Sequence, residues 1–198
     1  MKHLKFPPPK VNPILSCVMV TCDGGLPYTI KAIRSVKEFT SVPFELIVID
    51  NATNDGTTAW LKSEGINFIR IAQTEPISYG AALNKGLKVA TGQYLCIMNN
   101  DLFVTPNWAS FMIDVFKKKN LNVNKVGIVG PMSNAVGHDQ CVDARILNEI
   151  GYSNEPPMIM NFANHWMQRV WSNNSNADLM NKCVKTGFLS GFCWIMSR

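Results

Sequence analysis

Several features that mark common protein classes are missing from this chain of 198 residues. It has no Cys-x-x-Cys pair of the kind that builds zinc or redox sites. No apolar run approaches the length of a membrane span, and no apolar segment near the N-terminus indicates a signal peptide. We find no internal repeat and no low-complexity segment. The sequence therefore does not predict a transmembrane or repeat protein.

The composition is that of a globular protein, with 46% hydrophobic and 17% charged residues. The length is enough for one domain with a sizeable core, and a second domain is not expected. The net charge of +5 comes in part from Lys117, Lys118 and Lys119, which we interpret as the solvated end of a helix. No nucleic-acid partner is predicted.

Six cysteines are present, and Cys17, Cys96 and Cys193 lie in apolar runs where a thiol acts as a small hydrophobic group. We therefore predict reduced thiols and a cytoplasmic protein, with peripheral attachment to a membrane left open.

Apolar runs and amphipathic stretches alternate along the first 130 residues. The predicted strands are Ile14–Thr21, Glu45–Asp50, Ile66–Ile71, Tyr94–Met98 and Val126–Val129. Predicted helices begin near Pro27, Asp55, Tyr79 and Pro106. This order predicts an α/β fold, with a mostly parallel, Rossmann-like sheet and helices on both faces. After Gly130 the pattern loosens to a helix over Glu155–Trp171 and one or two short strands within Cys183–Ser197.

Three polar residues, Asn99, Asn100 and Asp101, follow the predicted strand Tyr94–Met98. Ligands of open α/β sheets bind beyond the carboxyl ends of such strands. One carboxylate there suits a hard divalent cation that takes its other ligands from water and phosphate oxygens. Taken alone, the triplet is more typical of a turn that caps the following segment.

Gly86 lies inside a predicted helix, at a cost of about 1 kcal/mol relative to alanine. It indicates close approach of the backbone to the sheet or to a ligand, and packing is the more common cause.

The segments VIDNATNDGT, ALNKGLKVATGQYLCIMNND, FVTPNW and VGIVGP occur in an order that resembles family 2 glycosyltransferases with the GT-A fold. The closest resemblance is to the rhamnosyl- and galactofuranosyl-transferase-like branch, which has Asn-Asn-Asp where others have Asp-x-Asp. The resemblance covers Ile14 to Pro131, and GFLSGFCWIMSR is similar to a later family segment. Cys22-Asp23 and Pro76-Ile77-Ser78 depart from the family's pattern.

This resemblance implies a metal-dependent glycosyltransferase of polysaccharide biosynthesis. The sugar donor would be a UDP-, dTDP- or GDP-linked sugar, the cofactor Mn²⁺ or Mg²⁺, and the acceptor a hydroxyl of a glycan, a lipid-linked molecule or a protein. Transfer would proceed with inversion.

The residues that match the family's sites are carried over by position. Asp101 would bind the metal, and the sugar donor would be bound by Thr21, Asp23, Asp50, Asn51, Asn84, Lys85 and Asn100. Asp50 would meet the nucleobase; alternatively, it accepts hydrogen bonds from the turn that follows it. Asp55 fits a helix cap as well as a ligand contact.

The resemblance also divides the chain into a lead-in (residues 1–13), a nucleotide-sugar-binding half (14–131) and an acceptor-side half (132–198) of one domain. The family's general base belongs to an acidic pair that would follow Arg198, so we expect a chain truncated at its C-terminus. Acidic residues within the later half are interpreted as surface charges or caps: Asp139, Asp143, Glu149, Glu155 and Asp178.

Two other classes of function compete with glycosyl transfer. A nucleotide-sugar-binding fragment without a base would bind the sugar donor and transfer nothing. An oxidoreductase with a dinucleotide cofactor is disfavoured because no Gly-x-Gly-x-x-Gly follows the first strand. A nucleotidylyltransferase is disfavoured because the turn Cys22-Asp23-Gly24-Gly25 lacks a basic residue.

Overall fold

The computed structural model of the protein describes residues 12–72, 74–117, 126–133, 157–162, 164, 189 and 191–198. Most of the predicted lead-in and the acidic residues of the later half lie outside this range. Of the predicted helix Glu155–Trp171, residues 157–162 are described, and they are helical. No helix among the described residues is long and apolar enough to cross a membrane.

The described residues contain six strands and, besides the helical residues 157–162, four helices. In chain order they are β1 (Leu15–Thr21), α1 (Leu26–Phe39), β2 (Phe44–Asp50), α2 (Thr57–Ser63), β3 (Phe68–Arg70), α3 (Tyr79–Leu87), β4 (Tyr94–Met98), α4 (Trp108–Lys117), β5 (Ile128–Val129) and β6 (Cys193–Ser197). The predicted alternation of strands and helices is confirmed.

The strands form one sheet in the order β3-β2-β1-β4-β6-β5. β1 pairs in parallel with β2 and with β4, and β2 pairs in parallel with β3. β6 is antiparallel to both β4 and β5. The mostly parallel sheet is thus confirmed, and a strand from the end of the chain separates β4 from β5.

Helices cover both faces of the sheet, as predicted. On one face Leu15, Cys17 and Met19 of β1 pack with apolar residues of α1, α2 and α4. On the other face Val18 and Val20 pack with Ala82 and Leu83 of α3. Alternate residues of β1 therefore serve two cores, which is why this strand is a continuous apolar run.

Some element ends differ from the prediction for local reasons. α4 begins at Trp108 and not at Pro106, because Asn107 adopts a left-handed conformation with φ of 63°. β3 is limited to Phe68–Arg70, the residues paired with the last three residues of β2. Gly56, with φ of 92°, occupies the N-cap position of α2, so Asp55 lies one residue outside it.

The topology creates a crevice at the carboxyl ends of the parallel strands. From β1 the chain moves to β2 and β3 on one side and then to β4 on the other. Neighbouring connections leave the sheet in opposite directions at such a switch point, and ligands of α/β proteins bind there. We call the ends of β1, β2 and β4 with their following loops the mouth of the sheet.

Gly86 provides a test of how closely α3 approaches the sheet. A methyl group added there would lie 2.4 Å from Cγ1 of Val18 and 3.2 Å from Cδ1 of Ile49. Val18 is buried and β-branched, so it cannot turn aside. We expect Gly86→Ala to lower the free energy of unfolding by about 1–3 kcal/mol in urea denaturation.

Gly80, in the first turn of the same helix, is the matched control, because a methyl group there would meet nothing within 4 Å. Gly80→Ala should leave stability unchanged or raise it by about 0.5–1 kcal/mol. Equal effects of the two substitutions would contradict the close packing of α3.

Candidate functional site

The mouth of the sheet brings together polar residues that are distant in sequence. Thr21, the last residue of β1, lies opposite Asp50, the last residue of β2, in the parallel register. Asn99, Asn100 and Asp101 follow directly from the end of β4, which pairs with the other side of β1. The predicted site residues Thr21, Asp50, Asn100 and Asp101 therefore lie at one edge of the sheet.

Asp50 is fully buried, and its carboxylate accepts hydrogen bonds from several groups. Oδ1 accepts from the backbone N–H of Thr53 at 3.1 Å, from the Thr53 hydroxyl at 2.7 Å and from the Arg70 guanidinium at 2.7 Å. Oδ2 accepts from the hydroxyl of Thr58. Asp50 therefore fixes the turn that follows it, which agrees with the structural alternative predicted for this residue. It also fixes the first helical turn of α2 and the end of β3.

These contacts determine the protonation of Asp50. Burial by itself raises the pKa of the carboxyl group, but the hydrogen bonds from Thr58, Arg70 and Thr53 outweigh it and hold the pKa below its ordinary value. The Arg70 side chain is 31% exposed, so one partner of this ion pair keeps contact with water. Asp50 is therefore charged at neutral pH, and hydrogen bonds from the protein replace water around its carboxylate.

Asn51 uses its side-chain amide in the same structural way. Its Nδ2 donates to the carbonyl of Ile77 at 2.8 Å, and its Oδ1 accepts from the N–H of Ile77 at 3.0 Å. The pair copies the hydrogen bonding of a peptide group and links the end of β2 to the segment before α3.

A third set of contacts spans β1, α1 and the end of β4. The buried hydroxyls of Thr21 and Thr29 are 2.8 Å apart. Nδ2 of Asn100 donates to the Thr29 hydroxyl at 3.0 Å and lies 3.4 Å from that of Thr21. Gly25 permits this approach, because a Cβ there would lie 2.7 Å from Asn100 Nδ2.

The two loops on the other side of the mouth are joined through carboxylates. Asp23 accepts a hydrogen bond from the backbone N–H of Asn54. Asp55 accepts from the N–H of Leu26 at 3.2 Å and from the N–H of Thr57 at 3.1 Å, so it serves the first residues of α1 and α2. Burial raises the pKa of Asp55, but the hydrogen bonds from Thr57, Leu26 and Gly24 together hold the pKa below its ordinary value. The capping role predicted for Asp55 is thus exercised from outside the N-cap position.

Asp101 is exposed, as is Asp23, whereas Asp50 is buried and Asp55 is partly buried. Burial first and then the charge of Asp101 raise the pKa of Tyr79. Within the described segments no group of three His, Cys, Asp or Glu residues is arranged to bind a metal. A single exposed carboxylate still fits a divalent cation whose other ligands are water and phosphate oxygens.

Two of the predicted residues lie away from this cluster. Asn84 and Lys85 are exposed on α3, which begins at Tyr79. At a rise of about 1.5 Å per residue they lie roughly 7–9 Å along the helix from its start. The structure does not bring them into contact with Asn100 or Asp101.

Two residues of the mouth were not predicted as site residues. Arg70 pairs with Asp50, and the Tyr79 hydroxyl donates to Oδ1 of Asn99 at 3.4 Å. The sequence could have indicated Arg70, because it is a basic residue near the end of the predicted strand Ile66–Ile71. Tyr79 had no comparable signal, because its contact with Asn99 joins two separate segments.

Comparison with known proteins identifies the family. The model of glycosyl transferase family 2 matches residues 16–198, which is most of the chain. The chain belongs to glycosyl transferase family 2. With the mostly parallel sheet described above, this confirms the fold class and the family implied by the sequence motifs.

Solved glycosyltransferases are similar in structure. A segment of TarS from S. aureus, residues 1–349, shares 18% identity over 63% of this chain and 37% of its own, with a TM-score of 0.50. The mannosyltransferase PcManGT from Pyrobaculum calidifontis, solved with GDP-Man and Mn²⁺, shares 24% identity over 65% of this chain and 38% of its own, with a TM-score of 0.47. The likeness to the TarS segment concerns the fold alone. The chain spans less than two fifths of each of those chains.

The contribution of the ion pair between Asp50 and Arg70 to the free energy of unfolding can be tested by substitution. Asp50→Asn puts amide hydrogens where the hydroxyls and Arg70 donate, so we expect a loss of about 1–3 kcal/mol in the free energy of unfolding at pH 7.

The pH dependence gives a second readout. The pKa of Asp50 is depressed in the folded state, so its stabilisation is complete above the unfolded value of about 3.9 and is lost as pH falls through the lower, folded value. The difference between wild type and Asp50→Asn should therefore shrink below about pH 4 in urea titrations. A constant difference from pH 7 to pH 2 would contradict the depressed pKa.

Proposed function

We propose that this chain forms the sugar-donor-binding part of a glycosyltransferase that uses a nucleotide-diphosphate sugar. The observation that carries the proposal is the exposed Asp101 carboxylate, which follows Asn99 and Asn100 at the switch point of a family 2 chain. Neighbouring polar side chains at the mouth accept or donate hydrogen bonds within the protein, which leaves Asp101 as the carboxylate open to a ligand.

Asp101 would hold a divalent cation, Mn²⁺ or Mg²⁺, together with oxygens of the diphosphate. When bound, the cation would neutralise the charge that develops on the departing diphosphate. Asn100, fixed by Thr29, would lie beside the ribose or sugar. The loop held in place by Asp50, Asp23 and Asn51 would border the nucleoside. Asn84 and Lys85 would contact a ligand that extends along α3.

In the proposed reaction an acceptor hydroxyl oxygen forms a bond to the anomeric carbon of the sugar. The bond from that carbon to the diphosphate oxygen breaks, the nucleoside diphosphate takes the electron pair, and the configuration inverts. A general base takes the hydroxyl proton. We assign no described residue to this role, because Asp23, Asp50 and Asp55 already accept hydrogen bonds within the loops.

The same observation supports a second candidate, a module that binds the sugar donor without transferring the sugar. The two functions separate in one assay with the full chain: release of nucleoside diphosphate from UDP-, dTDP- and GDP-sugars in the presence of acceptors, against binding of the same compounds. Release supports the transferase, and binding without release supports the module.

Asp101→Ala should remove metal-dependent binding while the fold remains intact. We expect Mn²⁺ to tighten the binding of UDP or GDP to the wild-type chain in isothermal titration, and this gain to fall by about tenfold or more in the variant. The melting temperature should not change, because Asp101 is exposed.

Asp114→Ala is the matched control, since Asp114 is a partly exposed carboxylate on α4 that pairs with Lys117. It should bind metal and nucleotide as the wild type does. An unchanged gain from Mn²⁺ in Asp101→Ala would refute the proposed metal site.

Asp50→Asn should affect nucleotide binding in a different manner. The substitution disturbs the loop that borders the nucleoside. Asp50 is the last residue of β2, whereas Asp101 follows the end of β4. We expect the affinity for UDP or GDP to fall by a similar factor, about three- to tenfold, with and without Mn²⁺. A loss confined to the Mn²⁺ titration would assign Asp50 to the metal site instead.

A further inference from the structure

Asn51 is almost fully buried, with 6% of its surface exposed, although it lies at the mouth of the sheet. Its amide donates to the carbonyl of Ile77 and accepts from the N–H of the same residue. Hydrogen bonds to both the N–H and the carbonyl of one residue fix the distance and the rotation of the backbone at that residue. The amide is therefore directed towards the chain and not towards a ligand.

The segment held by Asn51 leads directly into α3. Ser78, which follows Ile77, is the N-cap of α3, and its hydroxyl accepts from the N–H of Ala81 at 3.4 Å. Tyr79 is the first residue of the helix. Any shift or rotation at Ile77 is thus passed to Tyr79 over two residues.

Tyr79 connects this segment to the end of β4. Its hydroxyl donates at 3.4 Å to Oδ1 of Asn99, which precedes Asp101 by two residues. Tyr79 is 45% exposed, so the ring stands at the surface of the mouth and is not part of the core.

We infer that Asn51 is a positioning residue for the metal side of the sugar-donor site: through Ile77 it holds Tyr79 against Asn99 and so steadies the turn that carries Asp101. This inference rests on the proposed function. It gives Asn51 an indirect role, in place of the direct contact implied by the family resemblance, and it adds Tyr79 to the site.

The test is a double-mutant cycle with Asn51→Asp and Tyr79→Phe. Asn51→Asp keeps an acceptor for the N–H of Ile77 but replaces the donor that faces the Ile77 carbonyl with a carboxylate oxygen. Tyr79→Phe removes only the hydroxyl. The readouts are the affinity for UDP or GDP with and without Mn²⁺, and the water-proton relaxation of bound Mn²⁺.

Two control variants match the chemical changes at sites distant from the mouth. Asn67→Asp introduces the same charge just before the amino end of β3, and Ser63→Ala removes a hydroxyl that donates to the Trp60 carbonyl at the end of α2. Neither should change the binding of Mn²⁺ or nucleotide.

We expect Asn51→Asp to reduce the gain in affinity that Mn²⁺ provides about tenfold and Tyr79→Phe about threefold, in addition to any loss that each causes without metal. Because both changes act through one contact, Tyr79→Phe should cost little further in the Asn51→Asp chain. A merely structural Asn51 would give equal losses with and without Mn²⁺, or losses that multiply, and either result overturns the inference.

The remaining outcomes are also decisive. If Asn51→Asp does not fold, Tyr79→Phe decides alone, and an unchanged Mn²⁺-dependent affinity overturns the inference. If the wild-type chain shows Mn²⁺-dependent binding that both variants retain, the inference fails and the proposed function stands. If the wild-type chain shows no Mn²⁺-dependent binding, both are overturned.

Discussion

The buried carboxylate of Asp50 is the interaction on which the mouth of the sheet depends. A charge removed from water is tolerated only when the protein supplies equivalent hydrogen bonds. The backbone and hydroxyl of Thr53, the hydroxyl of Thr58 and the guanidinium of Arg70 meet that demand. Since these groups belong to the loop after β2, to α2 and to β3, none of the three elements can move without exposing an unsatisfied charge. The loop side of the crevice is therefore preorganised before any ligand binds.

The opposite side of the crevice depends on neutral hydrogen bonds. Thr21 and Thr29 are buried together, and Asn100 extends to them from the end of β4, through a gap that Gly25 leaves open. The two sides contrast with Asp101, which is exposed and lies next in the chain. Side chains that satisfy one another form the frame of the site, and the exposed carboxylate of Asp101 is available to a cation.

Periodicity was sufficient to predict the strands and helices of the first 130 residues, because each element carries its own apolar pattern. It could not place β6 between β4 and β5, since that pairing joins residues about 100 positions apart. Motif position likewise predicted that Thr21, Asp50, Asn100 and Asp101 would meet at one edge. The partners of Asp50 and Asn51 were beyond its reach, because side-chain hydrogen bonds to Arg70 and Ile77 depend on how separate loops fold together. Their contact with a sugar donor stays a prediction.

A metal site with one protein carboxylate has a consequence for how ligands would bind. Asp101 alone supplies too few oxygens to hold Mg²⁺ or Mn²⁺ tightly, so most of the affinity would come from the diphosphate. Cation and nucleotide would then bind as a coupled pair, and by linkage each would raise the affinity for the other by the same factor. Because the coupling requires that the diphosphate reach Asp101 in one geometry, it is sensitive to the turn formed by Asn99 and Asn100. Hydrogen bonds that fix this turn, with Tyr79 on one side and with Thr29 on the other, would therefore govern metal affinity without contacting the metal.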